Sequence, residues 1–348
     1  MVKKLENSKR LSNKVRSLVV KPILTDAEVS KLYGSHLPKG YFKKVIKKDI
    51  DVYTSDGKLL IRFRKNVLPK KHINDAYENM IEWAKKSTSA RGAVSGKPKK
   101  GFNISRNKKI QSNILGYFDT FSISQKYRMK LAGIKKENRP LCRETSFNMK
   151  NPNEWKKVIP LIKDIDKQYK KLCPSHHKKQ YNACLKTNYR IKGTSFSTVT
   201  TNLNLQTGVH TDRGDYKDGF GNLVVIEKGK YNGGFTGFPK YGIGVDVRTG
   251  DFLAMDVHEF HGNTPIEPKT KNTERLSLVC YFREGLKKCN KNVPIYGQAF
   301  FDDIEKRIKN NQSGGKKRKN NKKVTKKSEN RKVNTKSTKS AKRKNLKG

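Results

Sequence analysis

Hydrophobic residues recur at helical spacing in the first half of this chain. From Ile73 to Ala84 the apolar positions follow one stripe of a helix, and Trp155 to Leu172 repeats that spacing before it stops at Cys173-Pro174. Between Val52 and Phe63, two short apolar runs flank Asp56-Gly57, a strong turn signal, and this predicts a hairpin. The first half is therefore expected to combine helices with a small amount of sheet.

From residue 189 onward the pattern changes to short apolar segments bounded by Gly, Asn, Asp and Pro. Short segments at this spacing predict a closed or sandwiched antiparallel sheet. The expected strands are Tyr189–Ile191, Ser195–Leu203, Leu223–Ile226, Gly234–Phe238, Gly242–Val247, Asp251–Met255 and Leu276–Phe282. The predicted fold class is α+β, with a mainly β core and N-terminal helices packed on it.

The chain is expected to divide into four parts. Residues 1–40 form a polar, basic N-terminal segment, and residues 41–185 form a helical and hairpin part packed on the core. Residues 186–310 form the β core, and residues 311–348 form a disordered tail rich in Lys and Arg. A length of 348 residues is enough for one large domain or two ordinary ones.

The chain is strongly basic. It contains 79 Lys or Arg and 30 Asp or Glu, for a formal net charge of +49. Sixteen of the basic residues and a single acid, Glu329, fall between Lys316 and Gly348, and the rest of the chain is basic in its own right. This surplus favours a polyanionic partner, above all nucleic acid. The alternative is that the lysines only solvate the surface.

A glycine-rich basic segment lies between Lys86 and Arg106. It contains Ser89-Ala90-Arg91-Gly92-Ala93 and Gly96-Lys97-Pro98-Lys99-Lys100-Gly101. Because glycine lets a backbone approach a ligand closely, this segment is a candidate for contact with a phosphate backbone. A solvated linker is the alternative interpretation.

The cysteines and the first residues bear on the compartment. Cys142, Cys173, Cys184, Cys280 and Cys289 are an odd, scattered set without a C-x-x-C pair, which argues against a disulfide framework, a disulfide-linked partner and a zinc module. The first twenty residues lack the apolar segment of a signal peptide, and no run reaches the length of a membrane span. We expect an intracellular, reducing location and no membrane partner.

Spaced His and Asp residues carry the candidate chemistry. On a strand, side chains at i and i+2 share a face, so His210 and Asp212 can enter one pocket that a distant His261 completes. Two imidazoles and one carboxylate leave open positions on a metal, which is the arrangement that non-haem Fe(II) oxygenases need. These three residues are the predicted iron ligands and catalytic residues.

Arg275 and Ser277 supply the second part of the predicted site. An arginine presents a planar fork that suits a carboxylate, and Ser277 lies on the same strand face to donate a further hydrogen bond. The two residues are expected to hold an oxoacid cosubstrate, 2-oxoglutarate. His258 competes with His261 as the distal ligand. His261 is preferred because the turn Gly262-Asn263-Thr264-Pro265 leads from it toward the Arg275 strand.

Several segments resemble the TET/JBP group of nucleic-acid base oxygenases. The resemblance lies in Thr198–Asn202, Gly208–Asp215 and Gly233–Pro239, and it continues through the His-Gly-x-Thr-Pro and Arg-x-Ser segments. Ser89–Gly96 and Leu141–Thr145 are also similar to that group's N-terminal half. The chain lacks the cysteines of the zinc-binding region that animal members carry, and there is no room between the motifs for the separate glucosylated-base domain of the kinetoplastid members. It therefore resembles a compact, stand-alone member.

The resemblance implies a double-stranded β-helix, or jelly-roll, that binds Fe(II) and uses 2-oxoglutarate and O2 to oxidise the 5-methyl group of a pyrimidine in DNA. It implies the ligand and anchor roles given above, and it makes Asn202, Arg213, Asp215 and Tyr241 candidate substrate-pocket residues. Relatives oxidise either 5-methylcytosine or thymine, so both bases stay open. A DNA substrate implies a location at the DNA, in a nucleus or an equivalent replication compartment.

Two other functions stay open at this point. A protein or small-molecule hydroxylase can use the same fold and metal, because a fold does not fix a substrate. A non-catalytic basic protein that binds nucleic acid is the second alternative, and the ordered His, Asp, His and Arg residues argue against it.

Overall fold

The computed structural model describes residues 15–89, 92–96 and 109–313. Its strands are β1 (Arg16–Val20), β2 (Lys44–Ile46), β3 (Ile50–Thr54), β4 (Leu59–Arg64), β5 (Thr88–Ser89), β6 (Lys109–Ile110), β7 (Ser112–Phe118), β8 (Arg143–Glu144), β9 (Thr198–Leu203), β10 (Gly221–Lys228), β11 (Tyr231–Gly233), β12 (Thr236–Phe238), β13 (Ile243–Val245), β14 (Phe252–Met255), β15 (Gly262–Asn263), β16 (Ile266–Pro268) and β17 (Glu274–Tyr281). Its helices are α1 (Asp26–Lys31), α2 (Lys70–Ala84), α3 (Ile123–Leu131), α4 (Ser146–Lys150), α5 (Pro152–Leu172), α6 (Pro174–Cys184) and α7 (residues 298–313). The tail beyond residue 313, the first fourteen residues and most of the glycine-rich basic segment lie outside the described residues, so what was expected of them stays a prediction.

Two sheets face each other across an apolar core. The larger is nine-stranded, in the order β1-β3-β4-β14-β10-β17-β9-β7-β8, and the smaller is four-stranded, in the order β15-β12-β13-β2. Phe63 and Leu253 of the larger sheet are buried in one cluster with Phe238 and Val245 of the smaller sheet. The central strands β4, β14, β10, β17 and β9 are antiparallel to their neighbours in that row. This double-layered antiparallel arrangement is a jelly-roll, or double-stranded β-helix, and confirms the predicted fold class.

Helices α2 and α5 cover the outer face of the nine-stranded sheet. Ile73 of α2 and Ile162 of α5 are buried in the same cluster as Leu276 and Leu278 of β17. Both helices extend beyond their predicted starts, and α5 begins at Pro152 because proline suits the first turn of a helix, where its missing N–H costs nothing. No helix within the described residues is both long enough and apolar enough to cross a membrane.

Strands that come before residue 186 take part in both sheets. β1, β3, β4, β7 and β8 belong to the nine-stranded sheet, and β2 pairs in parallel with β13 of the smaller one. The predicted hairpin is present as β3 and β4, with Gly57 of its turn at φ 81°. The division of the chain at residues 40, 185 and 310 stays a prediction, and the sheets take strands from both sides of residue 185.

The expected strand at Tyr189–Ile191 is wrong. These residues lie in a bend, where the Tyr189 hydroxyl donates to the carbonyl oxygen of Pro294 over 2.5 Å and the Tyr189 N–H donates to Thr187 Oγ1 over 3.1 Å. Tyr189 and Ile191 are both buried. Their apolar character reflects burial from a loop, because side-chain hydrogen bonds satisfy the backbone in place of a ladder.

Cys142 and Cys289 form a disulfide, with their Cα atoms 6.4 Å apart. The odd, scattered set argued against a disulfide framework, and this single bond within the chain departs from that expectation. The two residues are 147 positions apart, and only the packing of the chain brings them together. Cys173, Cys184 and Cys280 are free and buried. The cysteines therefore no longer support a reducing location.

The chain forms two compact units. One contains the residues up to Asp119 together with Leu141–Ile295, and thus both of the larger sheets. The second consists of Thr120–Pro140 and the residues from Tyr296 onward. In the second unit Phe121, Met129 and Ile304 form a small buried cluster between α3 and α7.

Candidate metal and substrate site

The three predicted ligands lie together in the structure. His210 and His261 are joined by an antiparallel bridge in which each N–H donates to the other's carbonyl oxygen over 2.9 Å. Asp212 Oδ1 lies 3.6 Å from His210 Nε2, and Asp212 Oδ2 lies 3.6 Å from His261 Nε2. One ligand atom from each residue lies within 4.8 Å of the other two. This spacing suits three ligands of a single metal ion.

The backbone around Asp212 differs from the strand that the His-x-Asp spacing predicted. Val209 and His210 make isolated bridges, and Asp212 lies in the loop that follows them. In that loop the Asp212 N–H donates to the carbonyl oxygen of Val257 over 2.9 Å. The loop is therefore anchored on the chain that leads to His261, and this anchor brings the carboxylate to the imidazoles.

Backbone carbonyls orient both imidazoles. His210 Nδ1 lies 2.8 Å from the carbonyl oxygen of Gly208, and His261 Nδ1 lies 3.0 Å from that of Glu259. Each Nδ1–H is thus the donor, and each Nε2 keeps its lone pair on the side of Asp212. Burial, and then the neighbouring His210, lowers the pKa of His261 to about 4. A neutral imidazole is the form that binds a metal.

His258 lies outside this group. Its Nδ1 is 3.1 Å from Asp256 Oδ1, and that hydrogen bond raises the pKa of His258. The structure therefore brings His261, and not His258, to His210 and Asp212. The choice made from the turn after His261 agrees with this geometry.

Arg275 and Ser277 project from β17 and are 3% exposed each. Arg275 Nη2 donates to the carbonyl oxygen of Gly234 over 3.1 Å, while its Nε has no hydrogen-bond partner among the described residues. No carboxylate in the described chain forms an ion pair with this guanidinium. Burial lowers the pKa of Arg275 below its ordinary value. A buried, unpaired guanidinium is costly, and an anionic ligand would relieve that cost.

The triad and the arginine line one cavity of about 550 Å³. This is the size of sites that hold small ligands. Of the predicted substrate residues, Asn202, Arg213 and Asp215 line this cavity. Tyr241 does not. Its ring is buried in the cluster between the two sheets, since the turn Pro239–Tyr241 packs there before Gly242 reverses the chain at φ 62°.

Buried polar atoms of the cavity wall lack partners within the described residues. They include Asn202 Oδ1, Asp215 Oδ2 and Arg275 Nε. Burial, and then the nearby Asp212, raises the pKa of Asp215 well above its ordinary value. Because buried polar groups are nearly always hydrogen-bonded, a group of unsatisfied atoms in one cavity indicates a ligand site.

The sequence reasoning missed other residues of the cavity wall, among them Thr200, Tyr281 and Arg283. Thr200 Oγ1 lies 3.0 Å from the Tyr281 hydroxyl, and Arg283 Nη2 donates to Asp119 Oδ1 over 2.9 Å. A signal was present in the sequence. Tyr281 and Arg283 continue the alternation that begins with Arg275 and Ser277, two residues at a time along one face.

The donor set fits Fe(II). Two neutral imidazoles and one carboxylate from His210, His261 and Asp212 are borderline and hard ligands that suit this ion, and they leave part of its coordination sphere open. The buried Arg275, with Ser277 two residues along the same strand, fits the carboxylate of a bound oxoacid in the same cavity.

The sequence matches a known family. Residues 129–284 match the Tet_JBP model, the oxygenase domain of the 2OGFeDO superfamily. Thymine dioxygenase JBP1 of Trypanosoma brucei brucei is 37% identical over 210 residues, which are 60% of this chain and 22% of that protein. Bifunctional helicase and thymine dioxygenase JBP2 of Leishmania major is 35% identical over 175 residues, which are 50% of this chain and 15% of that protein. This chain thus spans less than a quarter of the length of either relative.

Two further matches cover more of the chain. Thymine dioxygenase JBP1 of Crithidia fasciculata is 30% identical over 275 residues, which are 76% of this chain and 31% of that protein. Among solved structures, NgTET1 in complex with 5mC DNA has a TM-score of 0.50 and 14% identity, over 81% of this chain and 99% of that one. At this identity the likeness concerns the fold, and it agrees with the jelly-roll described above.

Proposed function

We propose that this chain is a member of the TET/JBP family of Fe(II)- and 2-oxoglutarate-dependent oxygenases, and that it oxidises the 5-methyl group of a pyrimidine, 5-methylcytosine or thymine, in DNA. One observation carries the proposal. A single cavity holds the His210, Asp212 and His261 group, the buried unpaired Arg275, and a wall with the unsatisfied Asp215 carboxyl. That these relatives are thymine dioxygenases supports the substrate class.

We assign the metal to His210 Nε2, Asp212 and His261 Nε2. Iron bound there supplies the activation of O2, with 2-oxoglutarate as the reductant. The chain's part is to keep the ligands ready. The carbonyl oxygens of Gly208 and Glu259 hold each imidazole in the tautomer with a free Nε2, and the low pKa of His261 keeps it neutral.

We assign the carboxylate of 2-oxoglutarate to Arg275, with Ser277 as a second donor. The guanidinium is buried on the same sheet face as the cavity and lacks an ion pair within the described chain. An anion at this position gains a charge-assisted, forked hydrogen bond. Gly234 lies against the arginine, and a Cβ at that position would meet Arg275 Nε at 3.0 Å. The glycine therefore leaves room for the guanidinium to meet its ligand.

We assign the target base to the part of the cavity formed by Asp215, Arg283 and Tyr281. Arg283 is held in place by Asp119, and Tyr281 by Thr200. The Asp215 carboxyl, buried with a raised pKa and an unpartnered oxygen, is available to hydrogen-bond the polar edge of a base. A methyl group inside a duplex cannot reach a buried metal, so the base must leave the stack, at a cost of a few kcal/mol that these contacts offset.

Asn202 and Arg213 complete the proposed substrate site. Asn202 is 9% exposed and has an unsatisfied oxygen in the cavity, whereas Arg213 is exposed at its edge. An exposed cation beside the cavity suits a phosphate that flanks the extruded nucleotide. We therefore propose DNA as the partner of the basic chain, and a location at the DNA, in a nucleus or an equivalent replication compartment.

Mass spectrometry of nucleosides tests the proposal. DNA containing thymine alone, or thymine with added 5-methylcytosine, is incubated with the protein, Fe(II), 2-oxoglutarate and O2, alongside the His210→Ala variant. We expect a hydroxymethyl nucleoside, and succinate in equal amount, from the wild-type chain only. The identity of the modified nucleoside shows which base is oxidised. A product that persists in His210→Ala would remove His210 from the site.

The alternatives give different results in the same experiment. Succinate formed without any modified nucleoside would indicate a protein or small-molecule hydroxylase on this fold. Failure to bind Fe(II) or 2-oxoglutarate, with DNA binding intact, would indicate a non-catalytic nucleic-acid-binding protein.

A further inference from the structure

Helix α5 carries a row of lysines on its exposed side. From Lys156 to the end of the helix, every residue with an exposed side chain is a lysine. We call this set the lysine stripe: Lys156, Lys157, Lys163, Lys167, Lys170 and Lys171. The intervals of seven, four and three residues between Lys156, Lys163, Lys167 and Lys170 place these four on one side of the helix.

The lysine stripe has no ion-pair partners within the described part of the chain. Of the three acids in the same helix, two are engaged elsewhere: Asp164 Oδ2 lies 2.5 Å from His72 Nδ1, and Asp166 accepts from the Ser195 hydroxyl over 2.6 Å. Lys163 and Lys167 are like charges at i and i+4, as are Lys167 and Lys171. Such pairs destabilise a helix.

Helices α2 and α7 form ion pairs between neighbouring side chains. In α2, Lys71 pairs with Asp75 over 2.7 Å and Lys85 with Glu82 over 2.9 Å. In α7, Arg307 pairs with Asp303 over 2.7 Å. Helix α3 contains Lys126, Arg128 and Lys130 without an acid, but α5 carries the longer row of exposed lysines.

The helix that carries the stripe is fixed firmly. Val158, Leu161, Ile162 and Ile165 are fully buried against the sheet. Asp166 accepts a hydrogen bond from the Ser195 N–H over 2.7 Å, which ties the middle of the helix to the loop before β9. The lysine Cα atoms thus form a rigid array, about 21 Å long from Lys156 to Lys170 at 1.5 Å per residue.

The stripe and the cavity lie on opposite sides of the nine-stranded sheet. Along β17, Arg275, Ser277 and Tyr281 line the cavity, whereas Leu276 and Leu278 are buried with α5. Since alternate residues of a strand face opposite ways, α5 covers the face away from the cavity. An anion on the stripe is therefore not part of the nucleotide in the cavity.

We infer that the lysine stripe is a second nucleic-acid surface, which binds the phosphate backbone of DNA away from the cavity. A straight array of cations about 21 Å long runs beside about a dozen phosphate charges of a duplex. Lysines act on phosphate as point charges and need no base contact. The stripe binds either a distant part of the DNA whose base occupies the cavity or a second duplex.

The composition of the face argues against a helix that inserts into a membrane surface. A helix that lies on a lipid surface needs an exposed apolar side. The apolar side of α5 is buried in the protein core, and its exposed positions from Lys156 onward are lysines alone. Lys163 extends along Gly193, and its Cε lies 3.5 Å from the position that a Cβ would take there. Lys192, next to Gly193, is exposed and widens the cationic face.

Lysine footprinting tests the inference without reference to any base oxidation. The full-length protein is acetylated with a water-soluble reagent, with and without a 40-base-pair duplex, and mass spectrometry follows each lysine. We expect the duplex to protect Lys163, Lys167 and Lys170 at least fivefold. Equal acetylation of these three lysines with and without DNA would overturn the inference.

A pair of matched variants adds a second measurement. Lys163, Lys167 and Lys170 are changed together to Gln, which keeps the helix propensity. The control changes three exposed lysines elsewhere, Lys230, Lys269 and Lys271, to Gln. We expect the slope of log Kd against log salt to fall by about 2 to 3 in the stripe variant, at about 0.9 per phosphate contact, and to fall less in the control.

Three results would contradict the inference: the same change in slope for both variants, no change in the stripe variant, or stronger protection of the stripe by poly-glutamate than by DNA at equal charge. The last result would assign the stripe to an acidic polypeptide. The Gln variant should unfold at the same temperature as the wild type or above it, because it removes like-charge neighbours. The binding result stands whether or not the protein oxidises a base, so the two proposals fail separately.

Discussion

The two faces of strand β17 are buried to the same degree and differ in what they contain. On the outer face, Leu276 and Leu278 pack against helices α2 and α5, and both are completely buried. On the inner face, Arg275 and Ser277 are 3% exposed each, yet they border an open cavity and the guanidinium lacks an ion pair in the described chain. One strand thus carries a stabilising surface and a ligand-binding surface one residue apart.

The comparison identifies the inner face as the one on which groups suited to ligand binding reduce the stability of the fold. An apolar face gains free energy from each buried side chain, about 1.5 to 3 kcal/mol for a leucine. A buried cation or amide without a partner costs free energy until a ligand satisfies it. We therefore expect changes on the outer face to affect folding, and changes on the inner face to affect binding and turnover.

The largest effect should come from a metal ligand. His210→Ala should abolish turnover, because only Asp212 and His261 would be left to hold the iron. DNA binding should be unchanged, since His210 is 8% exposed and lies inside the cavity. Iron binding, nucleoside analysis and a DNA-binding titration measure the three quantities. His258→Ala is the matched control, and loss of iron in that variant would reopen the choice of distal ligand.

A neighbouring pair of truncations tests the two faces directly. Leu278→Ala should lower the free energy of unfolding by about 2 to 5 kcal/mol through loss of burial and formation of a cavity. Ser277→Ala should change it by less than about 1 kcal/mol and should weaken 2-oxoglutarate binding instead. Denaturant unfolding and a 2-oxoglutarate titration read the two outcomes. Equal destabilisation by both changes would remove the distinction between the faces.

Removal of the buried charge of Arg275 should stabilise the protein in the absence of 2-oxoglutarate. Arg275→Met replaces an unpaired guanidinium by an apolar side chain of similar length, and we expect a gain of about 1 to 3 kcal/mol in the free energy of unfolding. The same change should abolish saturable 2-oxoglutarate binding. Thermal unfolding with and without 2-oxoglutarate measures both. A loss of stability would mean that the guanidinium already has a strong partner inside the protein.

The smallest effect on turnover should come from deletion of the basic tail. Deletion of residues 316–348 removes sixteen basic residues and one acid, and should flatten the salt dependence of DNA binding. Turnover of a saturating short oligonucleotide should stay within about twofold, because the proposed metal, cosubstrate and base-binding residues all lie between Thr200 and Arg283. Binding titrations at several salt concentrations measure the slope. An unchanged slope would show that the tail does not contact DNA.

Local patterns predicted a large part of this molecule. The helical stripe at Ile73–Ala84, the Asp56-Gly57 turn and the alternation in Leu276–Phe282 each depend on residues close together in sequence, and each is present in the structure. The wrong prediction of a strand at Tyr189–Ile191 also came from a local pattern. Burial from a loop and burial in a strand give the same short apolar run, and only the distant Pro294 distinguishes them here.

Local patterns likewise predicted only part of the candidate site. The spacing of His210, Asp212 and His261 was enough to predict a metal-binding group, although Asp212 reaches it from a loop and not from a strand. The residues that complete the cavity wall were found only in part. Tyr281 and Arg283 share the period of Arg275, but nothing in the sequence says how far along a strand a cavity extends.

The sequence alone determined which residues are the predicted ligands, the two-residue alternation of the β core and the excess of positive charge, because these are properties of composition and of neighbours in the chain. Tertiary structure decided that Cys142 meets Cys289, that Tyr241 lies between the sheets and that the lysines of α5 face away from the cavity. The physical reason is that sheet pairing and packing bring together residues more than a hundred positions apart. The free energy of those contacts depends on partners that no local pattern specifies.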